Sequence, residues 1–567
     1  MAQKRIVIVG GALAGPTAAA RAREVDEHAH ILLLERAPSV SYAIAGLAYH
    51  LSGEVKELAA LDQERASFFR ANYDIDVRTD IEVRAIDARS RRVFTDGGAI
   101  PWDSLVVSTG AESIIPDVPG LAGAINAVPF RNLVHLRTIL RELRRGKRVI
   151  VIGGGHFGVE AADGLARRGA DVMLVERGSR LLSSFSPGAS DAARRGLEAL
   201  GVTVRTSLEL ARAERRGARV SALVPLHGAP IPCDLVVIAT GVRPRTELLR
   251  EAGARALPNG AIRIDEACRT SLPDVIACGS CVAVRHAVSD DLVWLPQASI
   301  VDKTAQVAGA TAAGGEATLG GMLGTMIVRA GRSVVARTGL SQAELARAEI
   351  TRVHPLSHDA FFPGASGLSI ELAHDPASGR ILAADVWGSD GVDKRVDVLA
   401  TAIAGKLTIA KLAGLDLAYE PPFGASRDPV NVAGVVALET SRERGLSWSP
   451  EELAMRTSAV LVDVRSVAEQ RAGGSIAGAR RLSIAEVRAS TSELAKAAGP
   501  VVFISSDGRA GFLAASVARA RGVRDAGFLS GGMKSWSGAG LPTVAAAKAP
   551  SAPKQAARGK APARRRR

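Results

Sequence analysis

A short apolar strand that runs directly into a glycine-rich loop and a helix is the feature that most constrains how this chain folds. Residues Arg5–Val9 form a β-branched run typical of a buried parallel strand. The loop after it places small residues at Gly10, Ala12 and Gly15, and a second apolar strand ends at Glu35, about 20 residues further on. Small residues let the backbone approach a diphosphate, the helix N-terminus attracts its charge, and the carboxylate accepts ribose hydroxyls. The segment therefore predicts a Rossmann-type dinucleotide site, although Ala12 stands where the motif has its middle glycine.

The same pattern recurs later in the chain, with all three glycines of the motif. An apolar strand over Arg148–Ile152 leads into Gly153, Gly155 and Gly158, and the next strand ends at Glu176. A carboxylate at that place accepts the adenosine ribose hydroxyls and repels a 2′-phosphate, which favours NADH over NADPH. NADPH stays open as an alternative because two basic residues that could accommodate a phosphate follow directly, Arg177 and Arg180.

Two further apolar strands, one downstream of each loop, end in the same dipeptide. One ends at Thr109-Gly110 and the other at Thr240-Gly241. Two unrelated tight turns after buried strands are the alternative interpretation. The shared spacing favours two homologous nucleotide-binding units, the second inserted in the first. We therefore expect an α/β fold in which Thr109, Gly110 and Gly241 lie beside the cofactors.

Composition limits the class of protein and its setting. The 567 residues include only four cysteines, which excludes a disulfide framework and favours a reducing, cytoplasmic compartment. No run of about 18 uncharged apolar residues predicts a membrane span, and the basic and apolar N-terminus fits a strand and helix better than a signal peptide. The net charge of +14 would suit a nucleic-acid-binding protein. However, eight basic residues lie in 546–567 without any acid, so we predict a disordered basic tail and no specific nucleic-acid partner.

Four longer stretches are more specific than the glycine loops: PSVSYAIAGLAYH, SLPDVIACGS, GVDKRVDVLATAI and LAYEPPFGASRDPVN. They resemble the pyridine nucleotide–disulfide oxidoreductases, and within that family the coenzyme A-disulfide reductases and NADH oxidases, from Arg5 to about Leu438. The resemblance implies FAD in the first nucleotide site, NAD(P)H in the second, and a C-terminal domain that forms a homodimer. In such enzymes hydride passes from nicotinamide to flavin, and then onward to a cysteine or directly to oxygen.

Two positions that matter in the family are changed in this chain. The family's redox cysteine sits in a segment that here begins at Ser41, and Ala45 occupies the cysteine position. A methyl group cannot act as a thiolate nucleophile, which excludes the usual disulfide chemistry at that position. The strand end whose aspartate normally bonds the ribityl chain of FAD reads Gly279-Ser280, so a hydroxyl replaces the charge.

Other residues of the resemblance are candidates for catalysis. A Glu at the position of Glu160 lies close to the flavin and nicotinamide in the family, and Tyr419 keeps a tyrosine of the dimer-interface site. The alternative for Glu160 is a favourable charge at a helix start. Cys278 and Cys281 form a C-x-x-C pair that the family pattern lacks. They are either a substitute dithiol or two small side chains packed under the flavin, and packing is favoured because free cysteines are commonly buried.

The C-terminal part resembles a rhodanese domain from about Ser449 to Val544. Active rhodaneses bind a persulfide in a C-x-x-G-x-R loop, whereas this loop has Ser505 for the cysteine and Ala510 for the arginine. Serine without an adjacent base is a weak nucleophile, so we expect a docking or structural module without sulfur transfer. The predicted order is FAD-binding domain (1–147 and 271–332), inserted NAD(P)-binding domain (148–270), α+β dimerisation domain (333–440), linker (441–448), rhodanese-like domain (449–545) and basic tail (546–567).

Three functions remain open at this level. The preferred hypothesis is an FAD-dependent NAD(P)H oxidoreductase whose electrons go to oxygen, a quinone or an unknown acceptor without the family's cysteine. One alternative is a catalytically degenerate, dimeric nucleotide-binding scaffold whose rhodanese-like domain binds a protein partner. The other is a redox enzyme that uses Cys278 and Cys281 in place of the missing thiol.

Overall fold

The computed structural model describes residues 3–61, 65–143, 146–442 and 446–545. The chain divides into two compact units, Met1–Arg444 (unit 1) and Gly445–Arg567 (unit 2). The predicted basic tail, 546–567, lies outside the described residues, as does 443–445 within the predicted linker. In the described ranges, no helix combines the length and the apolar character needed to cross a membrane.

Unit 1 begins with a parallel sheet whose central strand carries the first glycine loop. Its first elements are β1 (Arg5–Val9), α1 (Ala14–Val25), β2 (His30–Leu34), α2 (Leu47–Ser52), α3 (Ala66–Tyr73), β3 (Ile75–Arg78), β4 (Val83–Asp87), β5 (Arg92–Thr95), β6 (Gly98–Pro101), β7 (Ser104–Val107) and β8 (Ala111–Ser113). Strand β1 pairs in parallel with β2 on one side and β7 on the other. Its four apolar residues after Arg5 are all buried, as expected for a strand covered on both faces.

A second parallel sheet carries the second loop. The elements of this part of the chain are β9 (Ala127–Pro129), α4 (Leu133–Glu142), β10 (Arg148–Ile152), α5 (His156–Arg167), β11 (Asp171–Val175), α6 (Pro187–Glu198), β12 (Thr203–Arg205), β13 (Leu210–Arg216), β14 (Arg219–Pro225), β15 (Ile231–Pro232), β16 (Leu235–Ile238), β17 (Val242–Pro244) and α7 (Glu247–Glu251). Strands β13, β14 and β15 form a separate antiparallel sheet, and β17 pairs with β8. The strand order is β12-β11-β10-β16-β9, so β10 is central as β1 is in the first sheet.

The chain then returns to the first sheet. The elements are β18 (Ile262–Arg263), β19 (Val275–Ala277), β20 (Val282–Arg285), β21 (Leu292–Val293) and α8 (Ala298–Ala313). Strand β19 pairs in parallel with β7 and completes the order β19-β7-β1-β2-β3. Helix α8 packs closely on α1 at Gly309, where a Cβ would collide with the carbonyl oxygen of Ala18. The second nucleotide-binding unit is therefore inserted between strands of the first.

An antiparallel sheet and three helices follow, as an α+β arrangement. The elements are β22 (Met326–Ala330), β23 (Ser333–Gly339), β24 (Glu349–Val353), β25 (Leu368–His374), β26 (Ile381–Gly388), α9 (Val392–Ala404), α10 (Ile409–Ala413) and α11 (Pro429–Arg442). The strand order is β22-β23-β26-β25-β24. Leu368 and Ile370 of the sheet and Val396 and Leu399 of α9 share one buried apolar cluster.

Unit 2 is a small parallel α/β unit. Its elements are β27 (Ser447–Trp448), α12 (Pro450–Met455), β28 (Val460–Asp463), α13 (Val467–Gly473), β29 (Arg480–Arg481), α14 (Ile484–Leu494), β30 (Val501–Ile504), α15 (Arg509–Ala520), β31 (Ala526–Leu529) and α16 (Gly532–Gly538). The strand order is β27-β31-β30-β28-β29. The predicted linker (441–448) is too long at both ends, because α11 continues to Arg442 and Ser447 pairs with Phe528 in the sheet.

Candidate functional site

The first glycine loop is held in a conformation that only small residues allow. Gly10 has a φ of +107°, and a Cβ on it would collide with the carbonyl oxygen of Ser108 at the end of β7. A Cβ on Gly15 would collide with the carbonyl oxygen of Gly10 in the same way. The start of α1 therefore lies directly against the end of β1, where helix N–H groups can face a diphosphate. Ala12 is half-buried within this loop.

Glu35 occupies the place that the motif predicts for a ribose-binding carboxylate. Its Oε2 accepts a hydrogen bond from the backbone N–H of Gly11 at 2.5 Å, and its Oε1 accepts one from Ala37 at 2.7 Å. A cavity of about 350 Å³ opens beside it; its lining includes Gly10, Glu35, Val83, Thr109, Arg245 and Leu248. This volume and its mixed apolar and charged lining suit an adenosine group.

The second loop repeats this geometry. Gly153 has a φ of +106°, and a Cβ on Gly158 would collide with the carbonyl oxygen of Gly153. A Cβ on Gly155, in contrast, would meet no protein atom within 4 Å. Glu176 Oε2 accepts a hydrogen bond from Gly154 at 2.6 Å, the counterpart of Glu35 with Gly11. The two predicted nucleotide loops therefore share one arrangement of strand, turn, helix and carboxylate.

The two Thr-Gly strand ends are tied to each other. Thr109 Oγ1 donates to the carbonyl oxygen of Arg245 at 2.5 Å, and Thr240 Oγ1 donates to that of Ile114 at 2.7 Å. The N–H of Ile114 in turn donates to the carbonyl oxygen of Gly241 at 3.0 Å. Strands β8 and β17 pair antiparallel directly after these residues. The repeated dipeptide thus joins the two nucleotide-binding units at the carboxyl ends of β7 and β16, the strands that pair with the central strands β1 and β10.

The segment that carries Ala45 packs against the helix of the second loop. Ala45 is exposed on the turn just before α2. Helix α2 lies on α5 at Gly164, where a Cβ would come within 3.0 Å of the carbonyl oxygen of Ala48. Glu160 is one helical turn before Gly164 on the same face of α5. Burial, together with the charge of Asp163, raises the pKa of Glu160 to about 7, while the charge of Arg329 opposes that shift.

The C-x-x-C pair lies in a tight turn inside the core. Cys278 and Cys281 are both fully buried, and the thiol of Cys281 donates to the carbonyl oxygen of Cys278 at 3.1 Å. Burial raises the pKa of both thiols. Gly279 between them has a φ of +84° and donates its N–H to Thr304 Oγ1 at 3.0 Å, and Ser280 is buried. A thiolate is therefore disfavoured here, as expected for cysteines that act as packing residues.

Unit 2 has its own loop between a strand end and a helix start. Ser505 follows β30 with 1% of its surface exposed, and its Oγ accepts a hydrogen bond from the N–H of Gly508 at 3.0 Å. Gly508 has a φ of +92° and lies against the backbone of Gly531. Arg509 begins α15 and is exposed. The serine in the predicted nucleophile position is thus buried at the base of the loop.

Comparison with known proteins connects these sites to a family. The family model of the pyridine nucleotide-disulphide oxidoreductases matches residues 4–314, and the model of the rhodanese-like domain matches residues 449–539. The chain belongs to the pyridine nucleotide-disulphide oxidoreductase family. It is therefore an FAD-dependent NAD(P)H oxidoreductase with a C-terminal rhodanese-like domain, which confirms the cofactors and the fold class predicted from the sequence.

Individual relatives agree with this assignment. An NADH oxidase of Methanocaldococcus jannaschii is 28% identical over 449 residues, which is 77% of this chain and 99% of the relative. The crystal structure of reduced Bacillus anthracis CoADR-RHD aligns with a TM-score of 0.90 at 27% identity and covers 95% of this chain and 98% of its own. A NAD-dependent persulfide reductase from A. fulgidus aligns with a TM-score of 0.86 at 28% identity, over 94% of this chain and 100% of its own.

The structure also holds a cation beside the second loop that sequence reasoning missed. Arg131 follows β9 in unit 1, and its guanidinium lies 5.4 Å from the ring centroid of Phe157. Burial lowers the pKa of Arg131, and the charges acting on it within the described residues come from Tyr42 and Arg245 instead of a carboxylate. A half-buried cation that has no carboxylate partner among the described residues fits an anionic ligand. No motif surrounds Arg131, so only the tertiary structure identifies it.

Ser41 and Tyr419 lie in different parts of this oxidoreductase. Ser41 has a φ of +52° and donates its N–H to the carbonyl oxygen of Gly11, beside the first loop. Tyr419 is 46% exposed on the antiparallel domain, and its hydroxyl donates to Asp359 Oδ2 at 2.6 Å. Among the described contacts of unit 1, none joins Tyr419 to Glu160. The structure thus groups the predicted nucleotide residues and leaves Tyr419 on a separate surface.

Proposed function

We propose that this flavoenzyme transfers electrons from NAD(P)H to oxygen, a quinone or another small acceptor without a thiol relay. The side chain at residue 45 is the observation that supports this most directly. Ala45 is exposed on the turn that precedes α2, the segment in which the resemblance places the redox cysteine. A methyl group can neither attack a disulfide nor hold electrons as a thiolate. The acceptor must therefore take its electrons from the flavin itself.

The residues around the two loops fit the two cofactors. FAD would be held by Gly10, Ala12, Gly15, Glu35, Ser41, Thr109, Gly110, Gly279 and Ser280, together with the half-buried cation Arg131. NAD(P)H would be held by Gly153, Gly155, Gly158, Glu176 and Gly241. Bound FAD would supply a centre for hydride uptake from NAD(P)H and for release of two electrons to the acceptor. Ser280 would offer the ribityl chain a hydroxyl instead of the charge found in the family.

Glu160 is the proposed proton donor in this reaction. NAD(P)H supplies two electrons and one proton as a hydride, whereas reduction of an acceptor A to AH2 consumes two electrons and two protons. The second proton must come from solvent through a group that holds it near neutral pH. Glu160 suits this role because its pKa is about 7 and it faces the Ala45 segment from α5. Its carboxyl would hold the proton and release it toward the acceptor.

We also propose that the active form is a homodimer in which Tyr419 completes the site of the partner subunit. Tyr419 is half-exposed, and Phe361 and Phe423 are 74% and 71% exposed on the same domain. The N–H of Asp359, whose carboxylate accepts the Tyr419 hydroxyl, donates to the carbonyl oxygen of Gly424, which brings these aromatic segments together. An exposed aromatic cluster of this kind is typical of an interface between subunits. Sedimentation of the holoenzyme tests this, and a monomer at micromolar concentration would contradict it.

Anaerobic reduction of the purified protein tests the proposed reaction. We expect a yellow protein whose flavin absorbance bleaches with NADH or NADPH and returns when oxygen or a quinone is added. The matched variant E160Q should still bind FAD and bleach, but its reoxidation by a quinone should be slower because the second proton is not supplied. A protein that cannot be loaded with FAD, or whose flavin no nucleotide reduces, would contradict the proposal.

A nucleotide-binding scaffold is the second candidate, and the loop of unit 2 favours it. Ser505 lies at the position of the nucleophilic cysteine, and its Oγ accepts a hydrogen bond from the N–H of Gly508. Ala510 lies at the position of the arginine of active rhodaneses. Unit 2 would then bind a protein partner instead of transferring sulfur. Stable binding of FAD and NADH without turnover by any acceptor would favour the scaffold over the oxidoreductase. Turnover with oxygen or a quinone would exclude it.

Of the three functions that the sequence leaves open, a redox enzyme that uses Cys278 and Cys281 has the least support from the structure. Both thiols are fully buried, and burial raises the pKa of each. A redox-active pair needs at least one accessible thiolate. Thiol titration of the denatured protein before and after NADH reduction decides the point. A gain of two thiols on reduction would support the dithiol.

A further inference from the structure

Arg329, on β22, joins parts of unit 1 that the proposed reaction needs to keep together. Its Nη1 donates to Glu54 Oε2 at 3.0 Å, and its Nη2 donates to the other oxygen of the same carboxylate. Glu54 follows α2 by two residues. A bidentate guanidinium–carboxylate pair fixes orientation as well as distance, so β22 holds the end of α2 in one geometry.

The same guanidinium also contacts α2 and α5. It lies 5.2 Å from the ring centroid of Tyr49, in α2, and its Nη2 is 3.9 Å from Oδ1 of Asp163, in α5. Asp163 is buried, accepts a hydrogen bond from Arg167 at 2.6 Å and accepts another from the N–H of Gly331 at 2.7 Å. Arg329 therefore belongs to a charge network that includes β22, the turn after β22, α2 and α5.

A second arginine ties α2 to α5 independently. Arg168, at the end of α5, donates to the carbonyl oxygens of Leu51 and His50 at 2.6 and 2.7 Å. These bonds hold the C-terminal end of α2, while the Arg329 guanidinium contacts the Tyr49 ring in its middle. Arg329 and Arg168 therefore hold α2 at two different points.

We infer that Arg329 is a positioning residue, which holds α2 and the preceding Ala45 turn at a fixed distance from Glu160 on α5. This inference rests on the proposed function, since it assigns Arg329 a role in presenting Glu160 to the reaction site. Arg329 itself would touch neither the cofactors nor the acceptor. Its bidentate bond to Glu54, its contact with Tyr49 and its approach to Asp163 all act on the geometry between α2 and α5.

The charges that face Glu160 predict how the loss of Arg329 alters the response to pH. They are Arg329 from β22 and Asp163 from its own helix. The Tyr49 hydroxyl of α2 is in turn close enough for the charges of Glu160 and Arg329 to act on it. Arg167 and Glu54 pair with these groups. Arg329 is the one cation that lowers the pKa of Glu160 in this set. Its removal should raise that pKa, so protonated Glu160 should persist to higher pH.

The test compares R329Q and R329K with wild-type holoenzyme and with the control R194Q. Arg194 pairs with Glu198 and Asp191 on α6, so R194Q also breaks two ion pairs but lies outside the proposed machinery. The measurements are the rate of anaerobic flavin reduction by NADH and the rate of reoxidation by a quinone from pH 5 to 9. FAD content and the melting temperature report whether each variant folds.

We expect R329Q to slow reoxidation by the quinone by about 10- to 100-fold, since small misplacements of catalytic groups have large effects on rate. Flavin reduction by NADH should stay near the wild-type rate, because Glu160 supplies its proton in reoxidation. In a plot of the reoxidation rate of R329Q against pH, the fall at alkaline pH should move to higher pH by up to about one unit. R329K should be slower in reoxidation but keep the pH dependence of the wild type, because lysine retains the positive charge but cannot form the bidentate bond. R194Q should match the wild type in both measurements.

The outcomes separate this inference from the proposed function. A wild-type flavin that neither nucleotide reduces contradicts the proposed function and the inference with it. The inference alone is overturned if the wild-type flavin is reduced but R329Q has the same rates and the same pH dependence of reoxidation as the wild type. If R329Q fails to bind FAD, the reoxidation rates of R329K and E54Q test the inference instead. Slower reoxidation in both variants supports the positioning role, and wild-type rates in both overturn it.

Discussion

In the second nucleotide loop, Oε2 of Glu176 accepts a hydrogen bond from the backbone N–H of Gly154 at 2.6 Å. The first loop has the same relationship between Glu35 and Gly11, at 2.5 Å. In both, the carboxylate that the motif assigns to a ribose also fixes the loop that would face the diphosphate. The two functions of the motif, sugar recognition and loop conformation, therefore depend on one side chain.

The first prediction concerns nucleotide choice. E176A should raise the KM for NADH by roughly 10- to 100-fold, because a hydrogen bond to a charged group contributes about 1.5–3 kcal/mol. It should also narrow the preference for NADH over NADPH, since the carboxylate that repels a 2′-phosphate is gone while Arg177 and Arg180 remain. Flavin reduction with each nucleotide measures both effects. E198A, on the surface of α6, is the control, and an unchanged KM for NADH in E176A would refute the assignment.

The second prediction separates two glycines of one loop. In G155A the new Cβ meets no protein atom within 4 Å and the backbone φ of −71° suits alanine, so the melting temperature should not change. That Cβ would still stand where the diphosphate approaches, so NADH binding should weaken. In G158A the Cβ would collide with the carbonyl oxygen of Gly153, so the protein should lose about 1–3 kcal/mol of stability. Equal melting temperatures for the two variants would contradict the predicted loop packing.

The third prediction concerns thiol accessibility. All four native cysteines are buried, so folded wild-type protein should react with no thiol reagent on the time scale of minutes. A45C should add one fast-reacting thiol per chain, because residue 45 is exposed on its turn. The control A48C, whose side chain is buried on the same segment, should react only after denaturation. A fast thiol in the wild type would show that a native cysteine is accessible and would revive the dithiol alternative.

The fourth prediction concerns pH and stability. The pKa of Glu160 is about 7 in the folded protein, above its ordinary value of 4.5, so the native state binds the extra proton between these values. Stability should therefore fall as pH rises from about 4.5 to 7, because the buried carboxyl must ionise. E160Q removes this dependence and should be more stable than the wild type by roughly 1–3 kcal/mol at pH 8, with little difference at pH 4. Denaturant unfolding of the FAD-free proteins at both pH values measures it, and a constant difference would contradict the shifted pKa.

Much of the fold could be predicted from the sequence because its signals are local. A side chain at Gly10 or Gly153 would collide with the backbone at the end of the adjacent strand, and one at Gly15 or Gly158 with the carbonyl oxygen of the first glycine of its own loop. The loop therefore leaves its pattern in the residue types themselves. The same holds for Glu35 and Glu176, which end strands at a fixed spacing from their loops. The predicted linker failed at its edges, since the pairing of Ser447 with Phe528 is a long-range contact that local polarity does not report.

By itself, the sequence determined the two dinucleotide units and the family. These depend on residue type and spacing along one strand, loop and helix. Only the tertiary structure decided that Arg131 is a half-buried cation without a carboxylate partner among the described residues. The same holds for the burial of Cys278 and Cys281 in the core and for the contacts of Arg329 with Glu54 and Tyr49. Burial and charge pairing arise from segments far apart in the chain, and Arg329 is separated from Glu54 by 275 residues. No local pattern records such a contact.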